Sequence, residues 1–384
     1  MLASSFLSAL ALAGSGGLGG ADTYPVEQLT APAPLTHLGI RRARTTSGPF
    51  AVPAMVVNDT SDDNGMGSFQ ALAALPCRDC YITGFSFGVR YVAANGSVAA
   101  DEANINTGMY LHHALLVNMN RTDTTCPPPL GVFQRMFGAG NERTYVDVSN
   151  NGTRRAGYYI GKEDVIALVA EIMNMQMGGG ARNVVVTATW DYVAASSNKT
   201  AAPSAFASAI PVWLDIDGNC GSFTNGSEVA VPPSTSVFSY TMPVPWSPGA
   251  AAGATLDGNK TAAAPKKYEV LVAASHLHDG ALQLDISKNG TLVCAGVASY
   301  GQTAAYISKV PGLGMPGMPG MSTGPTELTH ISSIHVCSDA GTTSSNDHWS
   351  VTAHYNLKEH PGLETVNGQA KPIMGIGLLF LVEA

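Results

Sequence analysis

The stretch that decides the fold runs from Tyr268 to Ile286 and reads YEVLVAASHLHDGALQLDI. Apolar residues alternate with others on both sides of a central Asp-Gly pair, which predicts β-strand on each side. Successive strand side chains point to opposite faces, so His276 and His278 share one face, with Cα atoms roughly 6.5–7 Å apart. Two imidazoles at that spacing can bind one metal ion, and neutral imidazole suits copper, zinc, iron or nickel.

Composition places the whole chain in the all-β class. The chain has 384 residues, which is long for one small domain and comfortable for two. It contains 42 glycines and 23 prolines but only 12% charged residues, which indicates many turns and few long surface helices. The net charge is −8 and no basic cluster is present, which argues against a nucleic acid as partner.

The chain divides into three parts at the level of sequence pattern. Residues 1–21 resemble a secretory signal, with a short apolar core from Leu7 to Ala13 and small residues after it. A Ser/Ala/Pro-rich stretch at 194–208 interrupts the strand pattern, and it predicts an N-terminal domain at 22–205 and a C-terminal domain at 206–384. We expect Asn183 to Val193 to form a hairpin with the preceding strand, across the glycines at 178–180.

Glycosylation sequons and the apolar C-terminus agree with export of the chain. Asn-x-Ser/Thr occurs at Asn58, Asn95, Asn120, Asn151, Asn198, Asn225, Asn259 and Asn289. The apolar run from Ile373 to Val382 is too short to span a bilayer and has the length of a core strand. The sequence therefore predicts an extracellular protein without a transmembrane segment, and we expect a monomer.

Six cysteines, an even number, predict disulfides in an oxidising compartment. Cys77 and Cys80 have redox or zinc spacing, but strand-like sequence follows them and no second pair lies at zinc-ribbon spacing. We expect structural bridges, with Cys294 paired to Cys337. One of Cys77 and Cys80 should pair with Cys126, and Cys220 should take the other.

The histidines fall into two groups, because none occurs between His113 and His276. One group per half predicts two separate metal sites. Adjacent His112 and His113 point to opposite faces of a regular strand, so both can bind one ion only if a bulge re-aims one of them. The alternative is that one packs inward with a hydrogen bond while the other meets solvent.

Met374, at the head of the last strand, is the third ligand we expect beside His276 and His278. Two imidazoles and a thioether suit an ion that alternates between Cu(I) and Cu(II), whereas zinc more often recruits a carboxylate or a cysteine. Asp279 could orient a ligating imidazole or simply form the Asp-Gly turn. The remaining histidines have no paired spacing and count as surface or core residues: His330, His335, His348, His354 and His360. A Met-Pro-Gly loop at 311–325 carries three methionines that could capture Cu(I), although a flexible surface loop is the alternative.

The chain resembles the copper type II, ascorbate-dependent monooxygenases in the order of three features along the sequence, which are His112-His113, His276-Leu-His278 and Met374. That family contains the peptidylglycine α-hydroxylating and dopamine β-hydroxylating enzymes. The resemblance implies two antiparallel jelly-roll-like β-sandwich domains in tandem, which face a water-filled cleft and hold one copper each. The C-terminal copper, matched here by His276, His278 and Met374, would hydroxylate the substrate. The N-terminal copper, matched by His112 and His113, would relay electrons from ascorbate.

The chain departs from that family at the third histidine of the N-terminal copper. The corresponding strand here reads Ala170-Glu-Ile-Met-Asn174 and has no histidine. Glu171, Met173 or Asn174 could substitute for it, or the electron-transfer site could be lost.

Three functions remain open at the level of sequence. The first is a secreted copper monooxygenase that hydroxylates an unknown small organic, peptide or glycan substrate with O₂ and an external reductant such as ascorbate. The second is a non-catalytic extracellular copper-binding protein on the same scaffold. The third is a metal-free protein of two jelly rolls that binds or processes glycans.

Overall fold

The computed structural model describes most of the chain from residue 24 onward. The described ranges are 24–56, 59–61, 63–126, 133–195, 206–218, 220, 227–248, 266–310, 326–365 and 368–384. The expected signal at 1–21, the Met-Pro-Gly loop at 311–325 and four of the sequons (Asn58, Asn198, Asn225 and Asn259) lie outside these residues.

The first half of the chain forms two sheets. Its strands are β1 (Glu27–Leu29), β2 (Arg41–Val52), β3 (Met66–Leu72), β4 (Cys80–Tyr91), β5 (Met109–Asn118), β6 (Gln134–Ala139), β7 (Val146–Asp147), β8 (Ala156–Ile160), β9 (Ile166–Asn174), β10 (Arg182–Ala194) and β11 (Ala207–Ser208). One sheet has the order β1-β2-β10-β4-β8-β11, with β7 beside β4, and the other has the order β3-β9-β5-β6. A short α-helix, α1 (Ala33–Thr36), and a 3₁₀ turn (Ile105–Thr107) complete this half.

The second half forms two five-stranded sheets and a small hairpin. Its strands are β12 (Ile210–Asp215), β13 (Val237–Thr241), β14 (Lys267–Leu277), β15 (Ala281–Lys288), β16 (Thr291–Tyr300), β17 (Ile307–Val310), β18 (Thr326–Thr329), β19 (Ile331–Ile334), β20 (Cys337–Ser338), β21 (Thr342–Ser344), β22 (Trp349–Asn356) and β23 (Gly375–Glu383). The sheets have the orders β12-β23-β14-β20, with β21 beside β14, and β13-β22-β15-β16-β19, and β17 pairs with β18. A second 3₁₀ turn covers Ala304–Tyr306.

The all-β prediction is confirmed, but one local prediction is wrong. The expected hairpin of β9 and β10 does not form, because β9 pairs with β3 and β5 while β10 pairs with β2 and β4. Sequence proximity suggested the hairpin, but the two strands belong to opposite sheets and bury different faces.

The sheet of β12, β14 and β23 is buried on both faces, which explains the continuous apolar run at the C-terminus. Every residue of β23 except Glu383 is buried. Ile376, Leu378 and Phe380 join the core of the first half, whereas Leu379 and Leu381 join the core of the second half. The halves therefore meet along these strands through packed apolar side chains.

Close to the predicted domain boundary at 205/206, the chain passes from the sheets of the first half to those of the second half. Strand β11 follows that boundary but pairs with β8, so the first half gains a strand from Ala207–Ser208. Division into two domains remains a proposal, because one apolar cluster contains side chains from both halves.

Three disulfides are formed, and one of the expected pairings is correct. Cys294 bonds to Cys337 as predicted. The other expected pairings are wrong, because Cys77 bonds to Cys80 and Cys126 bonds to Cys220. The short spacing of Cys77 and Cys80 thus closes a local loop, and the Cys126–Cys220 bridge ties the first half to the second. Among the described residues, none of the helices has the length and apolar character needed to cross a bilayer.

Candidate metal centre

A β-bulge in β5 brings His112 and His113 to the same place. The register between β5 and β9 shifts between Leu111 and His113, so the regular alternation of faces is broken at this point. The two ring centroids lie 4.0 Å apart. Glu171 Oε2 lies 3.3 Å from His112 Nδ1 and 2.9 Å from His113 Nδ1. Of the two alternatives for this pair, the structure contains the bulge that re-aims one ring.

The second pair comes from the end of β14 and reaches the first. His276 pairs with Ile376 of β23, and His278 follows directly after the strand. His278 Nε2 lies 3.0 Å from His113 Nε2, and the His278 and His112 ring centroids are 4.7 Å apart. The sequence predicted one histidine cluster per half, and the structure differs: donors from the two halves meet in one cluster. Packing of the apolar face of β14 against the first half brings them together.

Each of the four imidazoles has its Nδ1 fixed by an acceptor of the protein. His112 and His113 donate to Glu171, His278 donates to the carbonyl of Pro372 at 2.9 Å, and His276 donates to Glu142 Oε1 at 3.0 Å. A carboxylate or carbonyl can only accept, so the proton of each neutral ring sits on Nδ1 and the lone pair on Nε2. This is the arrangement by which outer acceptors orient metal-binding histidines.

Burial keeps the rings of His112, His113 and His278 neutral. Burial, with repulsion from neighbouring His113, lowers the pKa of His112 to about 3. Burial likewise lowers the pKa of His113 and takes that of His278 well below its ordinary value. Burial alone would raise the pKa of Glu171, but hydrogen bonds from His112 and His113 hold it well below its usual range. Glu171 therefore stays a carboxylate, and the rings are in the form that binds metal.

The geometry of the cluster fits a bound cation. The ligand atoms of His112, His113 and His278 all lie within 4.8 Å of one another. With both Nδ1 atoms protonated, His113 and His278 direct two lone pairs at each other over 3.0 Å, an arrangement that a cation between them would stabilise. Among the described residues, His276 Nε2 is also buried without a hydrogen-bond partner. Three neutral imidazoles form a donor set that suits copper.

Met374 lies on the same side of the sheet as the histidines, but its role as a ligand remains a prediction. Leu277 pairs with Gly375, so continuing the register by one position sets Met374 opposite His278. Met374 is 4% exposed and belongs to the apolar cluster that contains Ile376. Its backbone carbonyl accepts a hydrogen bond from the Tyr355 hydroxyl at 2.5 Å.

Of the three possible substitutes for the missing histidine, Glu171 alone contacts the cluster through a described hydrogen bond. Met173 Sδ lies 3.9 Å from Lys371 Nζ, in a small apolar cluster with Tyr110. The Asn174 amide donates to the Gly180 carbonyl and accepts from the Gln176 N–H, so it shapes the turn after β9.

Asp279 orients a histidine, but not one of the expected pair. Its Oδ2 accepts from His330 Nδ1 at 2.7 Å and its Oδ1 accepts from the Ile331 N–H at 2.8 Å. His330 is buried, as the default reading allowed, and it lies next to the cluster. Glu142 and Glu228 were also not singled out by sequence, and Glu228 Oε1 lies 3.6 Å from His112 Nε2. Neither carboxylate has a motif or spacing that would identify it.

A cleft between the halves leads to the cluster. Its cavity volume is about 30 Å³, close to that of one water molecule, and it reaches His112 and His278. Its walls are mainly apolar, with Asp63, Glu228, Asp279 and Lys371 as charged groups. The cleft thus opens onto two histidines that come from different halves.

Comparisons with known proteins point to copper chemistry in relatives. No family model matches this chain. "Probable copper-dependent oxygenase M1" of Phoma sp. is 27% identical over 343 residues, which cover 89% of this chain and 73% of that protein. "Probable copper-dependent oxygenase clz3" of Cochliobolus lunatus is 27% identical over 281 residues, which cover 73% of this chain and 74% of that protein. A solved structure of N-glycanase F (PNGase F) covers 89% of this chain and 96% of its own at 8% identity, and its TM-score of 0.33 supports no inference. The chain is therefore similar in sequence to proteins named as copper-dependent oxygenases.

Proposed function

We propose that this chain is a copper-dependent oxygenase with one copper centre, formed by His112, His113 and His278. The observation that carries the proposal is the convergence of three neutral imidazoles, two of them buried and His113 half-buried, whose Nδ1 atoms are all held by acceptors. The two relatives named as copper-dependent oxygenases support the choice of metal and of reaction class. Copper held by such donors can change between Cu(I) and Cu(II) and can activate dioxygen.

The residues of the chain would prepare the site for this chemistry. Glu171 and the Pro372 carbonyl fix the three rings with Nε2 toward the centre. His276 and Met374, which lie on the same side of the β14–β23 ladder, are proposed as further donors. A substrate would approach His112 and His278 at the mouth of this cleft, and an external reductant such as ascorbate would supply electrons. The earlier division into an electron-transfer copper and a catalytic copper is replaced here by a single centre.

Metal analysis and EPR test the single centre. We expect one copper per chain and one type II Cu(II) signal, which His112→Ala and His278→Ala both abolish. His335 is exposed and distant from the cluster in sequence, and His335→Ala should leave the signal unchanged. Two coppers per chain, with separate signals lost in the two variants, would contradict the proposal, as would no copper after reconstitution.

A non-catalytic copper-binding protein is the second candidate, because the described histidines form one cluster without a separate electron-transfer site. Ascorbate-driven O₂ consumption separates the two functions. We expect the wild-type protein to consume O₂ and Met374→Ala to lose this activity while it still binds Cu(II). A copper-loaded protein that consumes no O₂ with ascorbate or with other one-electron donors would favour the second candidate.

We further propose that the protein is secreted and glycosylated. Three disulfides support an oxidising compartment, and the four described sequon residues are exposed: Asn95, Asn120, Asn151 and Asn289. Mass spectrometry of the protein from culture medium should find glycans at these positions and a new N-terminus near residue 21. The expected monomer is checked on the same sample by light scattering.

A further inference from the structure

His330 contacts Asp279, the residue that follows His278 in the chain, and is bonded at both ring nitrogens. Its Nδ1 donates to Asp279 Oδ2 at 2.7 Å, so its Nε2 accepts from the Ser308 hydroxyl at 2.8 Å. It is 5% exposed, and Ser308 lies on the β17–β18 hairpin. Neither ring nitrogen of His330 is left to bind a metal, which distinguishes it from the four imidazoles of the cluster. His330 can therefore affect the metal centre only through the residues that it contacts.

The first neighbour connects His330 to His278. Asp279 follows His278 directly in the chain and is 2% exposed. Its two carboxylate oxygens are held by His330 Nδ1 and by the Ile331 N–H. The backbone that carries the His278 ring is thereby tied to the residues 330–331, which precede and begin β19. Loss of the His330 bond would free one oxygen of a buried carboxylate next to a proposed ligand.

The second neighbour connects His330 to His112, across the two halves of the chain. The His330 ring meets the Tyr110 ring edge-on, with centroids 6.1 Å apart and an interplanar angle of 67°. Tyr110 is buried, and its ring centroid also lies 6.2 Å from that of His112. Tyr110 therefore lies close to one histidine of each half, and a shift of His330 would be passed through it to the bulge that aims His112.

From these contacts we infer that His330 is a positioning residue of the metal centre, which fixes His278 through Asp279 and His112 through Tyr110. The inference rests on the proposed copper centre and adds to it a residue outside the donor set. Outer residues of this kind typically change metal affinity or activity by about 10–100-fold when they are replaced.

A hydrolytic role for Ser308, His330 and Asp279 is the obvious alternative, because a serine, a histidine and an aspartate are bonded in a row. The same three residue types are bonded in a row elsewhere in the chain. His354 contacts Asp285 Oδ2 at 3.0 Å and Ser239 Oγ at 2.8 Å, on the outer sheet of the second half. The row therefore occurs twice among the described residues, once buried and once half-exposed, and the half-exposed copy serves as a control.

The test compares His330→Phe with His354→Phe in the full-length, copper-reconstituted protein. His330→Phe keeps a ring against Tyr110 but loses both hydrogen bonds. We expect it to bind copper about 10-fold more weakly and to change the hyperfine splitting of the Cu(II) EPR signal. His354→Phe loses the hydrogen bonds to Ser239 and Asp285, and it should leave the copper affinity and the hyperfine splitting unchanged. His330→Asn keeps a donor for Asp279 and should restore part of the wild-type spectrum.

Unchanged affinity and spectrum in His330→Phe, or equal changes in His354→Phe, would overturn the inference. If His330→Phe fails to fold, Tyr110→Leu tests the same connection to His112. The spectra are recorded without reductant or substrate, so absence of oxygenase activity does not affect the result. If the wild-type protein binds no copper, the proposed function fails, and imidazole ¹⁵N shifts of the metal-free protein decide instead: His330→Phe must move those of His112 and His278.

Discussion

At the scale of single residues, Glu171 is the group on which two donors of the site depend. Its Oε2 accepts from both His112 and His113, and the side chain is largely buried. One oxygen thus fixes the tautomer and the direction of two rings that a regular strand would send to opposite faces. The sequence suggested Glu171 as a possible ligand, and its observed place is behind the rings.

Replacement of Glu171 should weaken metal binding without removing it. Glu171→Gln keeps the size of the side chain but loses the charge that holds both Nδ1 protons. We expect copper affinity to fall by about 10–100-fold. Competition titration against a copper chelator measures this, with Glu163→Gln at an exposed position as control. Equal affinities of the two variants would contradict the assignment.

Asp215 should make stability depend on pH in a defined direction. It ends β12 and is fully buried, and this burial raises its pKa to about 6 from an ordinary 3.8. The folded state then binds the proton of Asp215 more tightly than the unfolded state does. The stabilisation that this proton gives to the folded state is therefore fully present below pH 3.8 and is lost as the pH rises through 6. At pH 7 the ionised Asp215 carboxylate therefore lowers the free energy of unfolding by up to about 3 kcal/mol.

Asp215→Asn should therefore raise the free energy of unfolding at pH 7 and change it little at pH 4. The amide oxygen can still accept from the Asp217 N–H, as the carboxylate does at 3.0 Å. Urea unfolding at the two pH values measures the difference, with the exposed Asp101→Asn as control. A larger gain at pH 4 than at pH 7 would refute the assigned sign.

At the scale of elements, the turn after β6 must approach the end of β14 closely. A Cβ on Gly140 would overlap the His276 ring and would lie 2.8 Å from the His112 carbonyl oxygen. The Gly140 N–H also donates to Glu142 Oε1, the acceptor that holds His276. Glycine at this position thus lets an element of the first half meet a histidine of the second.

Gly140→Ala should displace His276 and reduce stability by about 1–3 kcal/mol, as expected for overpacking. Gly180→Ala is the matched control, since a Cβ there meets nothing within 4 Å. Chemical unfolding gives the stability, and the Cu(II) EPR spectrum shows whether the centre is disturbed. A Gly140→Ala variant as stable as the control would show that the neighbouring elements can move apart.

The elements near the site also show how far sequence reasoning reaches. The apolar run from Ile373 to Val382 predicted a core strand, and β23 is that strand. A strand over Asn183 to Val193 was predicted too, and β10 covers it. The spacing of His276 and His278 was informative because His276 lies in β14 and His278 follows directly after its end, so one strand positions both. The contact of His113 with His278 spans 165 residues and depends on how the sheets pack, which no local pattern encodes. Glu142 and His330 were missed for the same reason, since their partners are distant in sequence.

At the scale of the whole molecule, one disulfide joins the halves. Cys126–Cys220 closes a segment with a sequence separation of 94, whereas Cys77–Cys80 spans only 3. In the chain-entropy model the long bridge contributes about 4–5 kcal/mol and the short one roughly 1.5 kcal/mol. The long bridge should therefore matter more for keeping the two histidine pairs together.

Removal of the bridges by paired serine substitutions tests this difference. We expect Cys126→Ser with Cys220→Ser to lose more unfolding free energy than Cys77→Ser with Cys80→Ser, as measured by urea denaturation. The first variant should also bind copper more weakly, because its halves separate more easily. A larger loss in the second variant would show that the local loop carries more of the stability than the chain-entropy model allows.

The imidazoles of the proposed centre come from both halves of the chain, and this couples metal binding to folding in the cell. Neither half alone carries the set of His112, His113 and His278, so an ion can be held only after the apolar face of β14 has docked. A metal that binds the native state alone adds stability by mass action, about 4 kcal/mol at a thousandfold excess over its dissociation constant. With the proposed copper centre, copper supply during biosynthesis would decide how many newly made chains outlast surveillance by proteases, so that metal-starved cells would hold less of the protein in total.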